Sequence, residues 1–468
     1  MTDVLELGAV EQLALIEAGQ ISVEELMQAT LARIGAVNGA VNAVVSLRDA
    51  DVLLAEARAA DGAETRGALH GLPIAIKDLA DATGLPTSKG SPLFAGQIAQ
   101  RDDPHVARLR AAGAIVIGKT NTPEFGLGSN TYNPVHGRTG NPYASALSCG
   151  GSSGGAAVAL ALRMVSIADG SDMMGSLRNP AGWCNVYGMR PGWGVVPGRG
   201  DGEIFLHQLS TNGPMARSPA DLALLLEVMA GPDPAQPHGA ALTEMTIRPE
   251  PRIGWLGDWG GALAFEAGIL ALCEDALGAF EGLGAHVSPL DAPFSRDALW
   301  DSWTTLRSWA VGASLADMMA DPVQAAHLKP EAIWEAKRGA ALGAMDVHRA
   351  SVIRSDWFRR ASALFDQYDI LALPTAQVWP FDGALDWPRD IAGQGMDTYH
   401  RWMEVVVPAS LIGLPCVSVP AGFGANGLPM GLQLIGRRGS DRALLRVAEA
   451  YHAATDWPAR RPPPMLQS

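Results

Sequence analysis

Gly71-Leu-Pro-Ile-Ala-Ile-Lys77, His105-Val-Ala-Arg-Leu-Arg-Ala-Ala112 and Ala114-Ile-Val-Ile117 decide the fold. The first and third are short apolar runs, the pattern of strands buried on both faces. The second repeats its apolar residues at helical spacing. Strand, helix and strand in that order argue an α/β architecture. Upstream, residues from about 10 to 60 show helical spacing, with Gly19, Gly35 and Gly39 as interruptions and Ser22 and Glu25 as a capping box. Downstream, Gly155-Ala-Ala-Val-Ala-Leu-Ala-Leu-Arg163 is rich in helix formers and predicts a helix whose N–H groups face the Gly-Ser run before it. Gly231-Pro-Asp-Pro-Ala-Gln-Pro237 predicts a loop joining two halves. Arg252-Ile-Gly-Trp-Leu256 begins a new strand, the stretch from about 298 to 366 turns helical, and Ile370–Leu373 and Cys416–Val419 return to strand.

The 468 residues are 48% hydrophobic and 18% charged, which fits a globular protein with a sizeable core and excludes a fibrous or disordered chain. Length alone suggests units of about 150 residues. The net charge of −14 and the lack of a long basic run argue against nucleic-acid binding. Cys149, Cys184, Cys273 and Cys416 are scattered, with neither disulfide-framework nor zinc-site spacing, and point to a reducing compartment. The N-terminus has no basic segment followed by an apolar one, so no secretory signal is read. No run approaches the roughly 18 apolar residues of a membrane span. A cytoplasmic location without membrane association is the expectation.

Chemistry concentrates in two serine-bearing stretches, Cys149-Gly-Gly-Ser-Ser-Gly-Gly155 and Gly170-Ser-Asp-Met-Met-Gly-Ser-Leu-Arg-Asn-Pro180, and in Lys77 at the end of its apolar run. A serine hydroxyl needs a base to take its proton and donors to receive an oxyanion. Burial disfavours a lysine's charged form, which turns an ammonium into a base. Singly, a solvated lysine and a Gly-Ser linker are the plainer readings. Together and in this order they resemble the amidase signature family of serine hydrolases. The family pattern is a lysine after a Gly-x-Pro strand, then Gly-Gly-Ser-Ser-Gly-Gly, then Gly-x-Asp-x-Gly-Gly-Ser-x-Arg-x-Pro. Flanking matches at 112–124, Asn141-Pro142, Gly413–Gly422 and Gly427–Gln433 extend the resemblance over most of the chain.

The resemblance implies one large α/β/α domain over residues 1–468 around a mixed, mostly central β-sheet. Within it lie N-terminal helices at about 1–60, the signature core at about 70–230, and a mainly helical substrate-side segment at about 298–366. It implies an amidase that cleaves the C–N bond of a small carboxamide through an acyl-enzyme, without metal or cofactor. Ser176 would be the nucleophile, Ser152 the relay and neutral Lys77 the base. Backbone N–H groups of Met173, Met174, Gly175 and Ser176 would form the oxyanion hole. Gly126, Leu127 and Gly128 would line the site opposite the serines, and Ser153, Asp172 and Arg178 would support it. A plain surface ion pair is the competing reading of Asp172 and Arg178. The partner would be a small amide, and homodimerisation is left open. Met174 stands where the family usually has glycine, which adds a thioether near the acyl site, and Cys149 stands where proline is common.

Alternatives share these letters. Gly113-Ala-Ile-Val-Ile-Gly-Lys-Thr120 matches the P-loop pattern, although its middle is strand-forming. Gly151-Ser-Ser-Gly-Gly155 fits the G-x-S-x-G elbow, which would make Ser153 the nucleophile of an α/β-hydrolase esterase. A glutaminase component of a tRNA amidotransferase would use the same catalytic segments. Eleven of thirteen tryptophans lie from Trp255 onward, and Trp300, Trp303 and Arg307 share a helical face. They are candidates for an aromatic pocket with a carboxylate anchor, suited to an aryl or anilide-type amide; core packing plus a surface arginine is the competing reading.

Overall fold

The structure is a computed structural model that describes residues 3–466. The expected α/β architecture is present, built on an eight-stranded mixed sheet. In spatial order its strands are His286–Pro289, Arg252–Trp255, Ile370–Pro374, Pro429–Gly436, Cys416–Phe423, Tyr187–Arg190, Thr211–Ala216 and Ile167–Asp172. The first three run parallel and every later neighbour is antiparallel. Strands such as Ile370–Pro374 and Pro429–Gly436 are buried at every residue, which is why they read as apolar runs rather than as alternation.

The strand that ends in Lys77 belongs to a second sheet. Pro73–Lys77 pairs in parallel with Ile115–Thr120, which pairs antiparallel with Val44–Val45. This small sheet packs beside the edge strand Ile167–Asp172 of the large one, and the Lys77 N–H donates to Asp169 Oδ1 at 2.8 Å. The helix Gly154–Ala161 packs against strands of both sheets and is buried along its whole length, as an all-apolar composition requires. Its glycines permit close approach: a Cβ on Gly155 would sit 2.3 Å from the Asn121 nitrogen. A hydrophobic core running from Leu5 to Tyr451 joins these elements.

The N-terminal helices are Ala9–Glu17, Val23–Val41 and Ala50–Asp61, with the Ser22–Glu25 capping box formed in both directions. One expectation needs correction. Gly35 and Gly39 do not interrupt the second helix, which runs through both. They lie on its exposed side, where each costs about 1 kcal/mol, and burial of Leu26, Met27, Ile34 and Val41 on the opposite side outweighs that. Residues 296–364 form the long helix Arg296–Ala320, the short Pro322–Ala325, then Pro330–Ala340 and Ala344–Leu364. Gly339 lets Pro330–Ala340 press onto the long helix, since a Cβ there would meet the Ser308 carbonyl at 2.2 Å. Among the described residues no helix is long and apolar enough to cross a membrane.

Candidate active site

Lys77 leaves its strand at the junction of the two sheets and is 1% exposed. Its Nζ lies 2.8 Å from Ser152 Oγ, 2.8 Å from Ser153 Oγ and 3.0 Å from Ser171 Oγ. Burial pulls its pKa from 10.5 down to about 7, opposed in part by the charges of Asp169 and Asp172. The amine is therefore poised between its two protonation states near neutrality. Ser171 was missed in the sequence, although it lies inside the motif. Gly170 beside it admits no side chain, because a Cβ would fall 2.7 Å from Ser153 Oγ.

Ser152 and Ser176 both open into one cavity of about 480 Å³. Ser176 makes no side-chain hydrogen bond among the described residues, so its hydroxyl faces the cavity free of partners. Ser153 is fully buried and does not line this cavity; its Oγ is held by Lys77 and by the Ser171 N–H at 3.3 Å. An esterase elbow at Ser153 would need an exposed hydroxyl on a strained turn next to a histidine. Instead the Ser153 hydroxyl is buried, and among the described residues its side-chain partners are Lys77 and Ser171 with no histidine. The P-loop match is likewise a buried strand, with Lys119 Nζ donating to the Ala80 carbonyl and to Thr87 Oγ1.

The turn from Asp172 to Ser176 is braced from behind. Asp172 is buried and takes Arg178 Nε on Oδ2 at 2.9 Å and Arg178 Nη2 on Oδ1 at 3.0 Å. Arg190 reaches Oδ1 at 3.3 Å. Burial alone would raise the carboxyl's pKa; Arg178 and Arg190 outweigh it and hold Asp172 below the ordinary carboxylate range. This pair is no surface ion pair. Arg178 also donates to Gln433 Oε1 at 2.7 Å and Ser410 Oγ at 2.6 Å, which ties the turn to the central sheet. Neither Arg190 nor Ser410 stood out in the sequence, and Gln433 did so only as the end of a flanking match.

The expected donor set contracts by one. The Gly175 N–H donates to Asp172 Oδ1 at 2.8 Å and is spent on the turn itself. Among the described residues, nothing accepts from the N–H groups of Met173, Met174 or Ser176. Gly126, Leu127 and Gly128 also line the cavity, Gly126 close beside Ser152, with Phe94 and Phe125 in edge-to-face contact at 6.1 Å. The long helix adds Arg307, Ala310, Val311, Ser314, Leu315 and Met318.

Of the two readings of Trp300, Trp303 and Arg307, core packing holds for the tryptophans, while the arginine is neither on the surface nor a free anchor. Trp300 and Trp303 do not line the cavity. Trp303 is buried and donates from Nε1 to Met174 Sδ at 3.2 Å, while Trp300 packs on His400 at 5.0 Å. The thioether that departs from the family pattern thus has a partner on the long helix. Arg307 does line the cavity, but it is no free carboxylate anchor. Its Nε donates to buried Glu335 at 2.8 Å and its Nη2 to the Tyr399 hydroxyl at 2.8 Å, so its charge is already matched. Cys149 is fully buried, which pushes its thiol pKa up to about 12 and leaves it inert.

Behind Lys77 lies a further buried group. Asp169, which accepts the Lys77 N–H on one oxygen, has His105 Nε2 at 3.1 Å from the other. Asn212, a cavity residue, reaches His105 Nδ1 at 3.3 Å. Nothing in local spacing links these three, since long-range contacts alone bring them together.

Residues 25–445 match the family model described as amidase. The chain belongs to the amidase signature family. This amidase is 34% identical over 474 residues to an acylamidase of Rhodococcus erythropolis, covering 97% of each chain. It is 37% identical over 471 residues to a glutamyl-tRNA(Gln) amidotransferase subunit of Thermus thermophilus, covering 94% of this chain and 96% of that one. Among solved structures it resembles a bacterial aryl acylamidase of the amidase signature family, with a TM-score of 0.89 and 27% identity over 97% of this chain and 99% of that one. It also resembles a 6-aminohexanoate cyclic dimer hydrolase, with a TM-score of 0.88 and 26% identity over 99% of each. The amidase is thus a hydrolase acting on amide C–N bonds.

Proposed function

We propose that this amidase hydrolyses a small aryl or anilide-type carboxamide through Ser176, Ser152 and Lys77. The observation that carries the reading is a buried amine with a pKa of about 7, held 2.8 Å from Ser152 Oγ beside the cavity that Ser152 and Ser176 share. An uncharged amine has one lone pair and two hydrogens. It accepts the Ser152 proton and donates to Ser153 and Ser171. Ser176 Oγ attacks the carbonyl carbon and passes its proton to Ser152 as Ser152 passes its own to Lys77. The N–H groups of Met173, Met174 and Ser176 receive the oxyanion, at about 2.7–4 kcal/mol per donor in related chemistry. The Lys77 ammonium then returns a proton through Ser152 to the leaving nitrogen, the C–N bond breaks, and water releases the acyl group from Ser176 by the same route. Of the helical segment at about 298–366, the long helix Arg296–Ala320 acts as the substrate-side wall.

Phe94, Phe125, Leu127, Val311, Leu315 and Met318 on the cavity wall support an apolar or aromatic substrate. The glutaminase reading fits less well. Glutamine carries an α-ammonium, and among the described residues lining the cavity none is aspartate or glutamate. Steady-state hydrolysis of anilides, free amides and glutamine tests the choice. Anilide turnover that disappears in Lys77→Ala and Ser176→Ala is expected; ammonia release from glutamine as the dominant activity would overturn the assignment.

A further inference from the structure

The cavity has a charge imbalance that catalysis does not use. In a chain of net charge −14, its lining contains two cations, Lys89 and Arg307, and no carboxylate among the described residues. Arg307 is balanced by Glu335. Burial disfavours the charged form of His207, also in the lining, and outweighs the opposing charge of Glu203. Lys89 makes no ion pair with any described residue; its Nζ sits 4.7 Å from the centre of the Phe94 ring. Its placement is held by the backbone. Lys89 has φ +52°, a left-handed conformation that a lysine adopts at a cost, and its carbonyl accepts the Phe125 N–H at 2.8 Å. The turn and this tether fix the Lys89 backbone next to Phe125, and its ammonium stands over the Phe94 ring of the Phe94–Phe125 pair.

We infer that Lys89 selects amides whose aryl portion carries a carboxylate, with the ring against Phe94 and Phe125 and the anion on the Lys89 ammonium. The inference rests on the amidase reading and adds its substrate class. A half-buried cation beside an aromatic ring forms a charge-assisted bond with an anion, whereas it repels an ammonium in the same place. Amides bearing a cationic ring substituent are therefore poor substrates.

Three acetanilides with one acyl group test this: 4-acetamidobenzoate, unsubstituted acetanilide and 4-(aminomethyl)acetanilide. The readout is the ratio of kcat/KM values between substrates, compared across variants so that intrinsic reactivity cancels. Lys89→Met lowers the anion-to-neutral ratio by about five- to tenfold, from the range between an exposed ion pair and a charged hydrogen bond. Lys89→Arg keeps the ratio, Lys89→Glu reverses it in favour of the cationic anilide, and salt weakens the wild-type preference. Ratios unchanged in Lys89→Met and Lys89→Glu overturn the inference while leaving the amidase reading intact. Should no anilide turn over, protection of Ser176 from a fluorophosphonate reads the same preference, with 4-acetamidobenzoate expected to protect better than acetanilide and equal protection overturning it. Absence of any Ser176 labelling defeats the proposed Ser176 mechanism itself.

Discussion

Replacing Lys77 by methionine removes the base while keeping an unbranched apolar side chain of similar length. Catalysis is lost, and the effect on stability has a sign set by pH. The unfolded chain holds this proton up to about 10.5, whereas the folded protein releases it near 7. A lysine whose folded pKa lies below its unfolded one opposes folding fully at acid pH, and the opposition fades as pH rises toward the unfolded value. At 1.36 kcal/mol per pH unit the burial penalty is about 4 kcal/mol at pH 7 and about 1.5 kcal/mol at pH 9.5. Against this, the variant loses hydrogen bonds to Ser152, Ser153 and Ser171, at about 1 kcal/mol each. Lys77→Met is thus about 1 kcal/mol more stable than wild type at pH 7 and about 1–2 kcal/mol less stable at pH 9.5. Urea unfolding at the two pH values measures both numbers. A stability difference that stays constant across that window refutes a neutral buried amine.

Other residues give separable outcomes. Burial lowers the Lys77 pKa while the Asp169 charge holds it up, so Asp169→Asn moves the acid limb of the kcat/KM profile to lower pH. Arg178→Met strands the buried Asp172 carboxylate with Arg190 alone, and the urea midpoint falls by the equivalent of about 3–5 kcal/mol. Met174→Gly deprives the buried Trp303 indole of its acceptor, costing about 1–3 kcal/mol. The same change opens the acyl side of the cavity, so relative kcat/KM for anilides with longer acyl chains rises.

Much of the site was legible because its residues lie in compact stretches. Lys77, Ser152, Ser153 and the Asp172–Arg178 turn fall in three short segments whose order and apolar flanks the sequence displays, whereas Ser171, inside the third, has no local signal that sets it apart. The strands were legible where burial on both faces leaves an unbroken apolar run, as at Ile370–Pro374. What escaped depends on distant contacts. Arg190, Gln433 and Ser410 brace the turn across many residues, and His105 with Asn212 meets Asp169 through tertiary packing. Helical spacing put Trp300, Trp303 and Arg307 on one face, yet it could not tell that the tryptophans turn to Met174 and His400 while Glu335 takes the arginine's charge. Likewise a glycine pair suggested a broken helix, where an exposed position absorbs the propensity cost.

The most direct test of the central claim is the rate at which a fluorophosphonate modifies the protein as pH is varied, with the adduct mapped by mass spectrometry. The proton relay predicts an adduct on Ser176 that forms faster as pH rises, with a midpoint near 7 set by Lys77, and that forms far more slowly in Ser152→Ala. An adduct on Ser153, or a Ser176 rate indifferent to pH between 5 and 9 (about two units either side of that midpoint), would contradict it.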